Sequence, residues 1–200
     1  MLIRLVAKGL FSLARLSDGE IKEIIVRWTG GGYFQLDPNS HIIIDGDGKA
    51  FTNNFSLMDT KYDPCYKRGA VLVSLLAGYG AKEGGEGQKI DFGLCPPNEK
   101  QLNSLAHVLA IMCLGLRLGV DCIKTLAELG KDGINLAVYP NEAGSGGEVI
   151  RGRTEKILED MKKGLYKSIN PALVGKPVWT GDMDEGSGFS GDHYESYQLW

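Results

Sequence analysis

The stretch EIIVRWTGGG, Glu23–Gly32, decides how this chain is read. Ile24, Ile25, Val26 and Trp28 are residue types that favour a pleated, half-buried surface, and the three glycines that follow end the strand in a flexible loop. Further along, AVLVSLLA (Ala70–Ala77) is a continuous apolar run rather than an alternating one, as expected of a strand buried on both faces. Between these two runs, HIIID (His41–Asp45) and KAFT (Lys49–Thr52) flank the turn residues of DGDG, which predicts a hairpin.

Helices are read after the second of these runs. Asn98 is placed to cap a helix, with Gln101 at the capping-box position. Leu102, Leu105, Val108, Leu109, Met112 and Leu116 then recur at helical spacing. Asp121 to Leu129 reads as a short strand or turn leading to a helical stub. A last helix is expected from about Glu148 to Leu165, with Ile150, Ile157, Leu158 and Met161 on one face. Ser17-Asp-Gly-Glu20 has capping-box spacing but runs directly into the first strand. The alternation predicts an α/β fold, a single mixed β-sheet flanked by helices.

Composition narrows the function classes. The chain has 200 residues, 43% hydrophobic and 24% charged, enough to bury a core in one domain. A net charge of −3 argues against nucleic-acid binding through bulk charge. Glycine, at 28 residues, is about twice average usage. The five acids from Thr180 to Trp200 stand without a Lys or Arg, so an acidic tail follows a nearly neutral body. The N-terminus lacks a signal-peptide pattern, and the apolar run around Leu105–Leu118 is broken by His107 and Arg117, so no membrane span is expected. Cys65, Cys95, Cys113 and Cys122 form no C-x-x-C pair, and reduced thiols are the default reading. Asp45-Gly-Asp-Gly lacks the later ligands of a calcium loop, because Lys49 and Ser56 stand where oxygens are needed. His41, His107 and His193 have no metal-ligand spacing.

Six segments, in order, resemble the zinc-dependent N-acetylmuramoyl-L-alanine amidases of bacteriophages, the fold class that includes the peptidoglycan recognition proteins. They are IVRWTGGG (Ile25–Gly32), SHIIIDGDGKAF (Ser40–Phe51) and KRGAVLVSLLAGYGA (Lys67–Ala81), then PNEKQLNSLAHVLAIMC (Pro97–Cys113), KTLAELGKDGINLAVYP (Lys124–Pro140) and VIRGRTEKI (Val149–Ile157). The resemblance covers roughly residues 20 to 160 and implies an amidase-type domain over 1–170, with 171–200 as a C-terminal acidic and aromatic extension.

The departures carry the functional expectation. The resemblance implies a zinc ion held by two His and one Asp, with an open position for water and an assisting Tyr. At the matching positions stand Arg27, Leu126, Asn135 and, for the Tyr, Ser40. Arg is permanently cationic, Leu has no donor atom, and Asn offers a neutral carbonyl. The expectation is therefore an amidase fold without catalytic residues and without its zinc cofactor, a pseudoenzyme. Two alternatives stay open: a binding module for peptidoglycan fragments or another small anionic ligand, and an active amidase whose ligands lie elsewhere.

A ligand cleft is expected at Arg27, Trp28, Thr29, Ser40, Glu128 and Asn135, where the bland reading of Arg27 is a salt bridge that holds the strands. A protein partner, or self-assembly, is expected through the tail at Phe189, Tyr194, Tyr197 and Trp200, whose mix of acids and aromatics suits ordering on contact. Synthesis in a bacterial cytoplasm and incorporation in a phage virion are what the resemblance implies for location.

Overall fold

In the computed structural model, which describes residues 3–4, 7–52, 56–58, 69–82, 91–125, 127–129 and 147–164, the run read first is the strand β2 (Glu23–Trp28). It lies between the strand β5 (Ala70–Leu75) and the short strand β6 (Ile123–Thr125), parallel to both. On the far side of β5 runs β3 (Ile42–Ile44), also parallel, which turns through the hairpin into the antiparallel β4 (Ala50–Thr52). The two-residue strand β1 (Ile3–Arg4) pairs antiparallel with β4 at the edge. Among the described residues the sheet is thus six-stranded and mixed, in the order β1-β4-β3-β5-β2-β6. Every residue of β5 is buried, as its unbroken apolar run requires.

Among the described residues, three helices flank the sheet. The helix α2 (Glu99–Leu116) begins at the expected cap: Asn98 accepts from the Gln101 amide, and the Gln101 side chain accepts from the Asn98 amide. Gln101 does more than cap. Its fully buried side-chain amide donates to the carbonyls of Ile44 and Leu76, while the Asn98 side-chain Nδ2 donates to the Gly46 carbonyl. The start of α2 is therefore fastened to the carboxyl ends of β3 and β5. Leu105, Val108, Leu109 and Met112 then enter the core against Ile24, Val26, Ile42, Val71 and Val73.

The helix α1 (Ala7–Leu16) was not anticipated, although Ala7, Leu10, Phe11 and Ala14 have helical spacing and are buried. Ser17 does not open a helix; it closes α1, its hydroxyl donating to the Leu13 carbonyl. The region read as strand or turn plus stub resolves into a 3-10 turn (Val120–Cys122), β6, and a second 3-10 turn (Ala127–Leu129). The helix α3 (Gly147–Lys162) stops short of the expected Leu165, at a turn where Gly164 takes a positive φ. Among the described residues, no helix is long and apolar enough to cross a membrane.

A polar ring on the face of the sheet away from the helix core

Strand alternation divides β2 into two sets of side chains. Ile24, Val26 and Trp28 belong to the core under the helices. Ile25 and Arg27 face the other way. Arg27 stands opposite Ser74 in the β2–β5 register, and its Nε donates to the Ser74 hydroxyl at 3.2 Å. Its Nη2 donates to Asp37 Oδ2 at 2.9 Å, with only 17% and 11% of the two side chains exposed. Ser40 donates to the same carboxylate oxygen and lies 2.6 Å from the Ser74 hydroxyl.

These contacts fix the direction of every proton. A guanidinium only donates, so Ser74 accepts from Arg27 and is left to donate to Ser40, which donates to Asp37. The four side chains form a closed ring: Arg27 to Ser74 to Ser40 to Asp37 and back to Arg27. Asp37 Oδ1 also accepts from the Asn39 amide at 3.0 Å. The Asp37 carboxylate is thus shared by Arg27, Ser40 and the Asn39 amide, and orients all three.

Arg27 and Ser40 are therefore brought together, while Trp28 is carried to the opposite face. There its ring packs on Phe92, with centroids 6.0 Å apart, and lies flat against Gly78. Gly78 has a positive φ, and an added Cβ would fall 2.0 Å from the indole, so only glycine fits this crossing. The Trp28 ring is 5% exposed, and its Nε1 has no hydrogen-bond partner among the described residues.

Thr29 follows β2 and uses its hydroxyl to accept the Gly31 amide. From here the loops at the carboxyl ends of the parallel strands are stitched together. Gly31 bridges to Gly78, Tyr33 donates to the Pro96 carbonyl at 2.7 Å, and the amides of Gly78 and Leu94 donate to Cys95 and Tyr79. The outer side of this rim exposes Phe34, Leu36, Tyr79 and Leu94, by 54% to 80% of each residue. Large apolar groups gathered on joined loops differ from the scattered ones of an ordinary surface.

Glu128 lies apart from the ring. It receives a bidentate pair from Arg151 of α3, at 2.8 and 3.0 Å, and caps the end of β6 by accepting the Thr125 amide. Arg151 also donates to the Ile123 carbonyl, and the Glu128 carboxylate holds its guanidinium above the usual range. Glu128 thus clamps α3 to β6. Asn135, Leu126 and the tail residues Phe189, Tyr194, Tyr197 and Trp200 lie outside the described residues, as does His193.

The two described histidines serve the fold. His41 Nδ1 accepts the Leu72 amide at 3.1 Å, and His107 Nδ1 contacts the Asn103 carbonyl at 2.8 Å. Burial lowers the pKa of His107, with the Asn103 contact opposing. The resemblance would put a zinc ligand at Arg27. The guanidinium there is already committed to a carboxylate and a hydroxyl, and its fixed charge does not fit a cation site. Among the described residues no three His, Cys, Asp or Glu side chains are grouped to hold a metal.

Two members of the ring, Asp37 and Ser74, were not singled out from the sequence. The available signal was one polar residue in each of two apolar runs, Arg27 in IIVRW and Ser74 in AVLVSLLA, which parallel pairing sets side by side. No family model matches the chain, and no curated protein or solved structure matches it.

Proposed function

We propose that this chain is an amidase-type fold that works by binding rather than by zinc hydrolysis, as a structural or interaction component of a phage particle or complex. The observation that carries the binding reading is the stitched rim, where Phe34, Leu36, Tyr79 and Leu94 stand exposed on loops tied to one another. A lone exposed apolar residue carries no such weight; four on joined loops form a contact surface.

The amidase-type reading draws support from order and proximity. The strand, hairpin, strand, helix, strand and helix follow the order of the resembling segments. Arg27 and Ser40, which the resemblance sets around a single centre, are joined through Ser74 and Asp37. That ring is chemistry for holding the site in shape. A small anionic ligand such as a muropeptide carboxylate would have to displace Asp37 from Arg27, which weighs against the ligand-module alternative.

Two measurements separate these readings. The assembly formed by the full chain is sized beside a Phe34→Ser/Leu94→Ser variant and a deletion of Thr180–Trp200. Loss of association in either one supports the proposal; unchanged association in both overturns it. Calorimetry with muropeptides, with Arg27→Ala alongside, is expected to give no heat of binding. Saturable heat that disappears in Arg27→Ala would favour the ligand module instead.

A further inference from the structure

Away from the ring and the rim, the structure brings together two thiols that are nine residues apart in sequence. Cys113 sits in the last turns of α2 and Cys122 ends the 3-10 turn before β6, with their sulfurs 3.9 Å apart, in contact. The chain folds back between them because Arg117 closes α2 in the left-handed conformation, after which Leu118 donates to the Cys113 carbonyl and Cys122 to Gly119. Both thiols are free, Cys113 at 1% exposure and Cys122 partly exposed.

The pair is asymmetric. The hydrogen bond between the sulfurs holds the Cys113 thiol up and the Cys122 thiol down, burial adding to the first and opposing the second. Lys124 favours the Cys122 thiolate and Asp121 opposes it. The less buried cysteine, Cys122, is thus the readier to form a thiolate, and the buried Cys113 sulfur lies 3.9 Å from it.

We propose that Cys113 and Cys122 form a thiol–disulfide exchange site that accepts a low-molecular-weight disulfide. The Cys122 thiolate attacks one sulfur of the incoming disulfide, forms a mixed disulfide and expels one thiolate. Cys113 then loses its proton to solvent and attacks the Cys122 sulfur, closing the Cys113–Cys122 bond and expelling the second thiolate. Two protein thiols are oxidised, one external disulfide is reduced to two thiols, and the protons balance. The new bond ties the end of α2 to the segment that leads into β6. Ile123, the next residue, is paired with Ile24 of β2 and holds Arg151 through its carbonyl, so the bond braces the edge of the sheet.

The test uses the full chain with glutathione disulfide as probe. Trypsin cleaves after Lys100, Arg117 and Lys124, so the two cysteines fall in separate peptides, Gln101–Arg117 and Leu118–Lys124. Oxidised protein is expected to yield these two peptides joined, released by dithiothreitol, with no glutathione retained on either. In Cys113→Ser the glutathione is expected to stay on Cys122; in Cys122→Ser, Cys113 is expected to remain a thiol. The wild-type map decides without the variants. Recovery of both peptides as free thiols, or with glutathione stably held on Cys122, would overturn the proposal.

Discussion

The two faces of the sheet are built from the same strands and carry different chemistry. Under the helices, Ile24, Val26 and Trp28 meet Ile42, Ile44, Val71, Val73 and Leu75, and the contact is apolar throughout. One residue along each strand, the opposite face sets Arg27 beside Ser74 and closes a ring through Ser40 and Asp37. Desolvating an ion pair costs enough that apolar side chains of the same volume usually serve stability equally well. A polar ring on a sheet that could have been filled with valine and leucine is therefore not what apolar packing alone would select.

The contrast breaks most severely on the apolar side. Leu109, fully buried in α2, is expected to cost about 3 kcal/mol when replaced by Ala, read from denaturant unfolding, because the cavity cannot collapse against the sheet. A loss below about 1 kcal/mol would mean that the helix layer is not packed as described.

On the polar side the sign of the interaction matters more than its size. Arg27→Met leaves the Asp37 carboxylate without its cation and is expected to cost about 2 kcal/mol. The double variant Arg27→Met/Asp37→Leu is expected to cost less than the single one, since no unpaired charge remains. If the double variant costs the sum of the singles, Arg27 and Asp37 are not coupled and the ring is not a unit.

The fastening between the layers comes next. Asn98→Ala removes the cap of α2 and its bond to Gly46, and is expected to cost about 1 kcal/mol in the same unfolding measurement. The rim is expected to show the smallest effect on stability. Phe34→Ser and Leu94→Ser should each stay within about 0.5 kcal/mol of the parent while weakening association, the mark of a surface used for contact.

Much of this fold was legible because local signals and tertiary needs agree. The β5 run is apolar at nearly every position and lies between two strands; the Asn98 and Gln101 pair caps as its spacing implies. α1 escaped notice because its apolar spacing is interleaved with Lys8, Arg15 and a glycine, which mask a buried stripe.

The site was legible in part. Arg27 and Ser40 drew attention as departures from a resembling pattern, but their partners Asp37 and Ser74 come from a loop and a neighbouring strand. Sequence spacing does not report parallel register. Trp28 was grouped with Arg27 because they are adjacent, and adjacency in a strand places side chains on opposite faces. Glu128 was grouped with both, whereas its charge is taken by Arg151, 23 residues further on.

We propose that the ring of Arg27, Ser74, Ser40 and Asp37 stands where an amidase of the resembling family would hold its metal. This placement is tested most directly by measuring zinc in the purified protein together with clearing of bacterial cell walls. The account predicts zinc well below one ion per chain and no clearing. One zinc per chain, with clearing that is lost on chelation and restored by zinc, would contradict it.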